Sequence, residues 1–248
     1  MIHRSTILSI LILSICLGLI NTPVFSSEDD DSFTTDFRLQ DCKFVPWGVN
    51  PYFILIPGYQ LVLEGQEDDE EILVQITVLD KIKYIDLRDE GLGIVKTRVV
   101  EEQEWVDEEI AEISWNYFAC CCKTNAIYYF GEDVDIYEDG EVVSHEGAWI
   151  AGKKGAMPGL VMPGTFLLNS KYYQEIAPKV AMDRAENITM GLKIKTDAGN
   201  FKNCVEVRET TPLEPDSESI KMYCPSVGLV YDDGIELVDY GMIFWNNH

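Results

Sequence analysis

The stretch YQLVLEGQEDDEEILVQITVL, residues 59–79, decides how this chain folds. In its first part Leu61 and Leu63 fall on one side of an alternating run. In its last part Ile72, Val74, Ile76 and Val78 share one face, with Leu73, Gln75, Thr77 and Leu79 on the other. A repeat of two marks a β-strand, because successive side chains point to opposite faces of a sheet. The acidic link QEDDE between the runs reads as a hairpin loop. Antiparallel pairing is therefore the expected local rule.

Outward from this hairpin the pattern continues. KYIDL and GIVKTRVV are rich in β-branched residues, and IYYFGEDVDIY and EVVSHEG flank Glu138-Asp139-Gly140. The Asp-Gly step there tolerates the positive φ of a tight turn. Towards the end LKIKT, FKNCVEVRE, SIKMYC, VGLVY and IELVDYGMIF are separated by DAGN, PLEPD and DDG. Short strands at this spacing predict an all-β meander. EEQEWVDEEIAEISWNYF (101–118) fits two patterns. Val106, Ile110, Ile113 and Tyr117 recur at helical spacing, while Ile113, Trp115 and Tyr117 also share a strand face after a turn near Asp107. Periodicity leaves both open. Residues 147–173 hold too much Gly and Pro for one regular element, yet apolar and aromatic residues run throughout. They predict a packed, irregular excursion, the kind of ordered loop that carries function on a rigid scaffold. A short helix is expected over Gln174–Glu186, limited by Pro178.

The chain begins MIHRSTILSILILSICLGLINTPVFSSEDDD, with Arg4, an apolar run from Ile7 to Ile20, and small residues before an acidic stretch. This layout predicts a signal peptide over residues 1–27. The apolar run is short for a bilayer span of about 20 residues, so a cleaved leader is preferred to a retained anchor, with no membrane span in the mature chain. Residues 28–43 read as a flexible acidic arm. Residues 44–248 read as one β-rich domain, long enough to bury its own core. The expected location is secreted or periplasmic. With 19 Lys+Arg against 43 Asp+Glu and a net charge of −24, the surface repels phosphate backbones, which argues against nucleic-acid partners.

The leader would remove Cys16, leaving Cys42, Cys120, Cys121, Cys122, Cys204 and Cys224. An even number outside the cytoplasm favours disulfides. In FACCCKTNAIYYFGE (118–132), a strand would put Cys120 and Cys122 on one face and Cys121 on the other. One tetrahedral metal site cannot use all three. The expectation is disulfides from the triplet to Cys204, Cys224 or Cys42, with buried thiols and a redox or soft-metal site as alternatives. A cysteine nucleophile would need His145 or terminal His248 as its base.

Two further constellations carry candidate chemistry. Met157 and Met162, in the doubled Met-Pro-Gly, join His145 as a copper(I) ligand set; the plainer reading is loop packing by methionine. Glu132, Asp133, Asp135, Glu138 and Asp139 are dense enough to suggest calcium. Ile136 and Tyr137 break the EF-hand order, and a solvated acidic hairpin is the plainer reading. GxSxG, HExxH, a phosphate-cradling glycine loop and a dinucleotide fingerprint are all absent. No cofactor is expected. Asn187-Ile-Thr189 is a formal glycosylation sequon, with weight only in a eukaryotic source.

In order, PYFILIPGYQLVLEG, YYFGEDVDIYEDGEVVSHEGAW, GAMPGLVMPG, YYQEIAPKVAMDRAE, AGNFKNC, TPLEP and YCPSVGLV resemble the blocks of a family of exported bacterial proteins of unassigned function. The resemblance spans about residues 44–243. Its closing blocks are also similar to open half-barrels that carry lipoproteins. It implies one β-rich domain, export, no known catalytic residues to carry over, and two strands with a turn over 101–118. The chain departs from the pattern at YCPSVGLV, where Ala-Pro-Gly is expected after the tyrosine; Cys224 then belongs to this member alone.

The expected fold is mainly β: a strongly curved antiparallel meander, an open or half barrel, with one irregular excursion and a short helix. The expected function is non-enzymatic binding between the sheet and the 147–186 excursion. The ligand is apolar or a metal, lined by Trp149, Met157, Met162, Phe166, Tyr172 and Tyr173. The alternative is a structural or envelope-assembly protein whose partner is another envelope protein, and a hydrolase comes third.

Overall fold

The computed structural model describes residues 32–67 and 69–243. The expected leader, residues 28–31 of the expected arm, and His248 lie outside the described residues. Short strands β1 (Phe44–Val45), β2 (Gly48–Asn50) and β3 (Phe53–Leu55) come first. Five longer ones follow: β4 (Tyr59–Glu67), β5 (Glu70–Leu87), β6 (Gly93–Val106), β7 (Glu109–Cys121) and β8 (Ile127–Glu138). Next are β9 (Glu141–Ser144), β10 (Trp149–Ile150), β11 (Met157–Met162), β12 (Lys171–Tyr173) and β13 (Glu175–Ile176). The chain finishes with β14 (Arg184–Thr196), β15 (Gly199–Thr211), β16 (Glu214–Cys224), β17 (Gly228–Asp232) and β18 (Ile235–Met242).

The architecture is an antiparallel sheet of two meanders. One runs β4 to β8, the other β14 to β18, and they join where β18 pairs with β4, Leu237 opposite Leu63. β11 then adds to β8 and β13 to β11 at one end of the ladder, while β12 adds to β14 at the other. The hydrogen-bonded path does not close. Its two terminal strands are nevertheless neighbours in the chain, separated only by Gln174. Leu55, Leu63, Val74, Leu87, Val99, Phe130 and Leu237 are buried in one contiguous apolar core.

The opening hairpin is found as read: Leu63 faces Val74 and Leu61 faces Ile76 across β4 and β5. Residues 101–118 are strands, turning at Asp107 (φ 49°) and Glu108 (φ 69°). Two successive positive φ values are the mark of a hairpin turn whose twist matches its strands, and Asp107 Oδ1 accepts the Glu71 N–H at 3.0 Å. The Asp139-Gly140 turn has the same pair of signs, 53° and 77°. β5 carries a bulge between Val78 and Ile82. Arg98, buried beside it, donates to Leu79 O at 3.3 Å, Asp80 Oδ1 at 3.0 Å and Pro46 O at 2.9 Å. Such a bulge bends its strand and sharpens the local twist.

Three expectations change. The helix over Gln174–Glu186 is absent; Ala177 and Ala181 bridge instead, around a turn with Lys179 at φ 67°. A proline lacking an N–H and a left-handed residue next to it favour reversal over a helical ladder. The 147–186 excursion is more regular than its composition suggests, since four short strands in it extend both edges of the sheet. Close backbone crossing requires the glycine at 159, where a Cβ would lie 2.4 Å from Gln174 O. The described part of the acidic arm, 32–43, is tied to the domain. Thr34 exchanges backbone hydrogen bonds with Lys171 and Tyr173 (2.9 and 3.0 Å), Phe37 packs edge-on against Tyr128, and Cys42 is cross-linked.

Two disulfides form, Cys42–Cys121 and Cys204–Cys224, with Cα–Cα distances of 5.3 and 4.2 Å. The triplet therefore sends one cysteine to Cys42 and none to Cys204 or Cys224, which sit on adjacent strands β15 and β16 and pair with each other. β7 ends at Cys121, so Cys122 is exposed in the following turn while Cys120 stays buried. A cross-link stabilises more when the loop it closes is longer. With separations of 79 and 20 residues, Cys121→Ser should lower unfolding free energy by about 4 kcal/mol and Cys204→Ser by about 3 kcal/mol, measured by urea denaturation. A thiol reagent should modify Cys122 in the native protein and reach Cys120 only after unfolding.

Candidate functional site

A cavity of about 120 Å³ lies inside the domain. Strands β4 to β8 and β15 to β17 supply most of its wall, among them Tyr59, Leu61, Val78, Val100, Phe118 and Leu229. The excursion supplies Val161, Gln174, Glu175 and Asp183. Phe118 stacks on Tyr129 with centroids 4.7 Å apart, giving the apolar end a flat aromatic wall. That volume holds several waters or one small organic molecule, since a single water needs roughly 10–15 Å³ measured this way.

The other end is polar. Glu102, Glu175, Asp183, Glu209 and Lys221 all line it. Lys221 Nζ lies 3.1 Å from Glu209 Oε2 and 3.4 Å from Asp232 Oδ2, three buried groups sharing one positive charge. Gln174 Nε2 donates to the other Glu209 oxygen at 2.7 Å. Glu175 Oε1 accepts the Asp183 N–H at 2.9 Å, and its Oε2 has no hydrogen-bond partner. In the cavity wall Tyr129 donates to Asn116 Oδ1, and Glu132 Oε2 is buried without a hydrogen-bond partner.

Desolvation disfavours the charged form of a carboxylate, and here it dominates. Burial raises Glu102 to about 7, helped by the charges of Glu112 and Glu209 and opposed by Lys221. Burial and Glu209 raise Asp183 to about 6; burial raises Asp232 to about 8 against the pull of Lys221. Glu175 is pushed well above the carboxylate range by burial and then by Asp183, and Glu132 by burial. Lys221 is also raised, because Asp232 and Glu209 outweigh its own burial.

None of the six aromatic and methionine residues expected to line a pocket lines this cavity. Trp149 meets Tyr129 edge-on, Phe166 meets Tyr52, Tyr172 donates to Asn187 Oδ1 at 3.0 Å, and Tyr173 meets Phe33. Met162 is buried opposite Ile127, and Met157 pairs with Ile176. His145 instead contacts Val134 O and Asp135 at 2.8 Å. Ile127 and Val134 are seven residues apart on β8, about 23 Å at the rise of a strand. The same interval separates His145 from Cys120, which also faces Ile127. Neither the copper set nor a Cys–His pair is assembled, and burial pushes the Cys120 thiol up to about 11. The acidic run divides likewise: Glu132 points inward, while Asp133 pairs with Lys83 at 3.1 Å and Asp135 with His145. Among the described residues no cluster of His, Cys, Asp and Glu is arranged to hold a metal ion, and no helix is long and apolar enough to cross a membrane.

The cavity's polar residues carried a sequence signal. Glu102 is in phase with Val100 on β6, Glu209 with Val205 and Val207 on β15, and Lys221 with Tyr223 on β16. A charge on the apolar phase of a strand faces the interior.

No protein-family model matches the chain, and no curated protein matches it. Among solved structures it is similar to a Parabacteroides distasonis protein described as a "putative lipoprotein". That match has 14% identity and a TM-score of 0.35, covering 82% of this chain and 100% of the other.

Carboxyls raised in the folded state leave stability intact below their unfolded pKa, near 4, and erode it as pH climbs towards the folded value. With Asp183 at about 6, Glu102 at about 7 and Asp232 at about 8, the loss falls between about pH 4 and pH 8. Melting followed by circular dichroism should give a Tm about 5 °C lower at pH 8 than at pH 5. Glu102→Gln should flatten that slope.

Proposed function

We propose that this chain is an exported binding protein whose ligand is a small molecule with an apolar body. The ligand is held in the cavity between the sheet and the 147–186 excursion. The observation that carries this reading is the composition of the wall: residues from both meanders and from the excursion converge on one space, apolar at one end and hydrogen-bonding at the other. That is the usual anatomy of a small-molecule site, in which apolar walls supply affinity and a few polar groups fix orientation. A sheet bent round the cavity is the accompanying structural reading, supported by the meeting of its two edges at Gln174. Export is supported by the leader-like N-terminus and the two disulfides, which persist in oxidising compartments.

The test uses a neutral probe that fits. Benzene at millimolar concentration should raise the Tm of the full chain, since a ligand that binds only the folded state stabilises it by mass action. Val100→Phe, which places a ring in the space, should remove that rise while itself melting cooperatively. An equal response in both proteins, or none in either, would sink the reading.

A further inference from the structure

The charge pattern at the polar end of the cavity goes further and points to the chemical class of the ligand. Lys221 is engaged by Glu209 and Asp232. Glu102, Glu175 and Asp183 line the same space, and among the described residues none of the three is ion-paired with a Lys or Arg. Glu175 is only 1% exposed, and its Oε2 faces the interior without a donor. A buried oxygen left so is unfavourable by the full desolvation of the group, and a native interior rarely tolerates it unless a bound group completes it. Glu175 keeps its proton in the empty cavity, and a bound cation that also donates hydrogen bonds would let it ionise.

The geometry points to a small primary amine with an apolar body as the ligand, its ammonium among Glu102, Glu175 and Asp183 and its body against Tyr59, Leu61 and Phe118. This rests on the binding reading above. An ammonium supplies three donors on one atom, and the Phe118–Tyr129 wall offers a flat apolar surface to the body. A bare calcium ion is disfavoured, since it needs six to eight oxygens. Asp183 also lines an outer groove of about 340 Å³ with His145, Glu146, Lys179, Thr211 and Glu214. A cation reaching that acidic groove meets the cavity's own carboxylate.

Binding is coupled to protons. Glu102 faces Glu112, Glu209 and Lys221; Asp183 faces Glu175, Glu209, Lys221 and Thr211; Glu175 faces Glu132 and Asp183. An ammonium placed among these carboxyls favours their charged forms, so protons leave as the amine enters. Affinity therefore rises with pH across the range in which Asp183 and Glu102 titrate in the empty cavity, about 6 to about 7.

Isothermal titration calorimetry of the full chain with benzylamine, benzyl alcohol and benzoate separates the possibilities. Benzylamine should bind at least tenfold more tightly than benzyl alcohol, and benzoate should not bind. The benzylamine enthalpy should differ between phosphate and Tris buffers, reporting proton release, and its affinity should rise from pH 5.5 to pH 8. Glu175→Gln should lose tenfold or more for benzylamine and leave benzyl alcohol unchanged; Glu102→Gln replaces it if that variant does not melt cooperatively. If the alcohol binds as tightly as the amine, or benzoate binds best, the cationic assignment falls while the pocket reading stands. If none of the three binds, both fall.

Discussion

Gln174 is the point on which the structure turns. It is the single residue between β12 and β13, the strands at opposite ends of the hydrogen-bonded order. Its backbone N–H donates to Asp183 O at 2.8 Å, its side chain donates to Glu209 Oε1 at 2.7 Å, and its carbonyl passes so close to Gly159 that no side chain fits there. Unpaired sheet edges leave rows of polar groups exposed. Here the excursion supplies short strands to both edges and then runs from one to the other through this residue. The same residue reaches Glu209 on β15, in the second meander, so the passage of the chain from one edge to the other and the polar end of the cavity are one construction.

That polar end is sustained by a balance between solvation and charge. Several carboxyls sit in the interior with Lys221, and Lys221 is already shared by Glu209 and Asp232. Removing a carboxylate from water is expensive unless it is paired or neutralised, and the remaining acids respond by holding their protons. An interior assembled only for stability would favour apolar residues of similar volume. Keeping ionisable groups around a space, with one oxygen of Glu175 unsatisfied, suits an interior that is completed from outside.

The disulfides divide the mechanical work. Cys42–Cys121 ties the N-terminal segment to the end of β7, across 79 residues of chain. Cys204–Cys224 staples neighbouring strands of the second meander, one cross-link for each half of the sheet. Cys120 and Cys122 are left as thiols because the strand ends between them: one is locked in the interior near Asn125, and the other has turned out to solvent.

The alternation of Leu61, Leu63, Ile72, Val74, Ile76 and Val78 determined strands, and Asp139-Gly140 determined a hairpin. Both are local rules, set by side-chain direction and turn sterics, so they can be read along the chain. The 101–118 segment was ambiguous because its apolar residues satisfy periods of 3.6 and of 2 together; left-handed Asp107 and Glu108 and the pairing with β5 and β8 resolve it. The aromatic and methionine residues of the excursion are large and apolar, which suits a lining, yet such residues are what a core consumes first. The lining that exists is distributed one or two residues per strand over most of the sheet, and each of its charges resembles a surface charge until the phase of its strand is fixed. Sequence alone determined the local hairpins and the acidity; tertiary structure decided the disulfide partners, the meeting of the two edges and the cavity, because each depends on contacts between residues tens to more than a hundred positions apart, which no local pattern encodes.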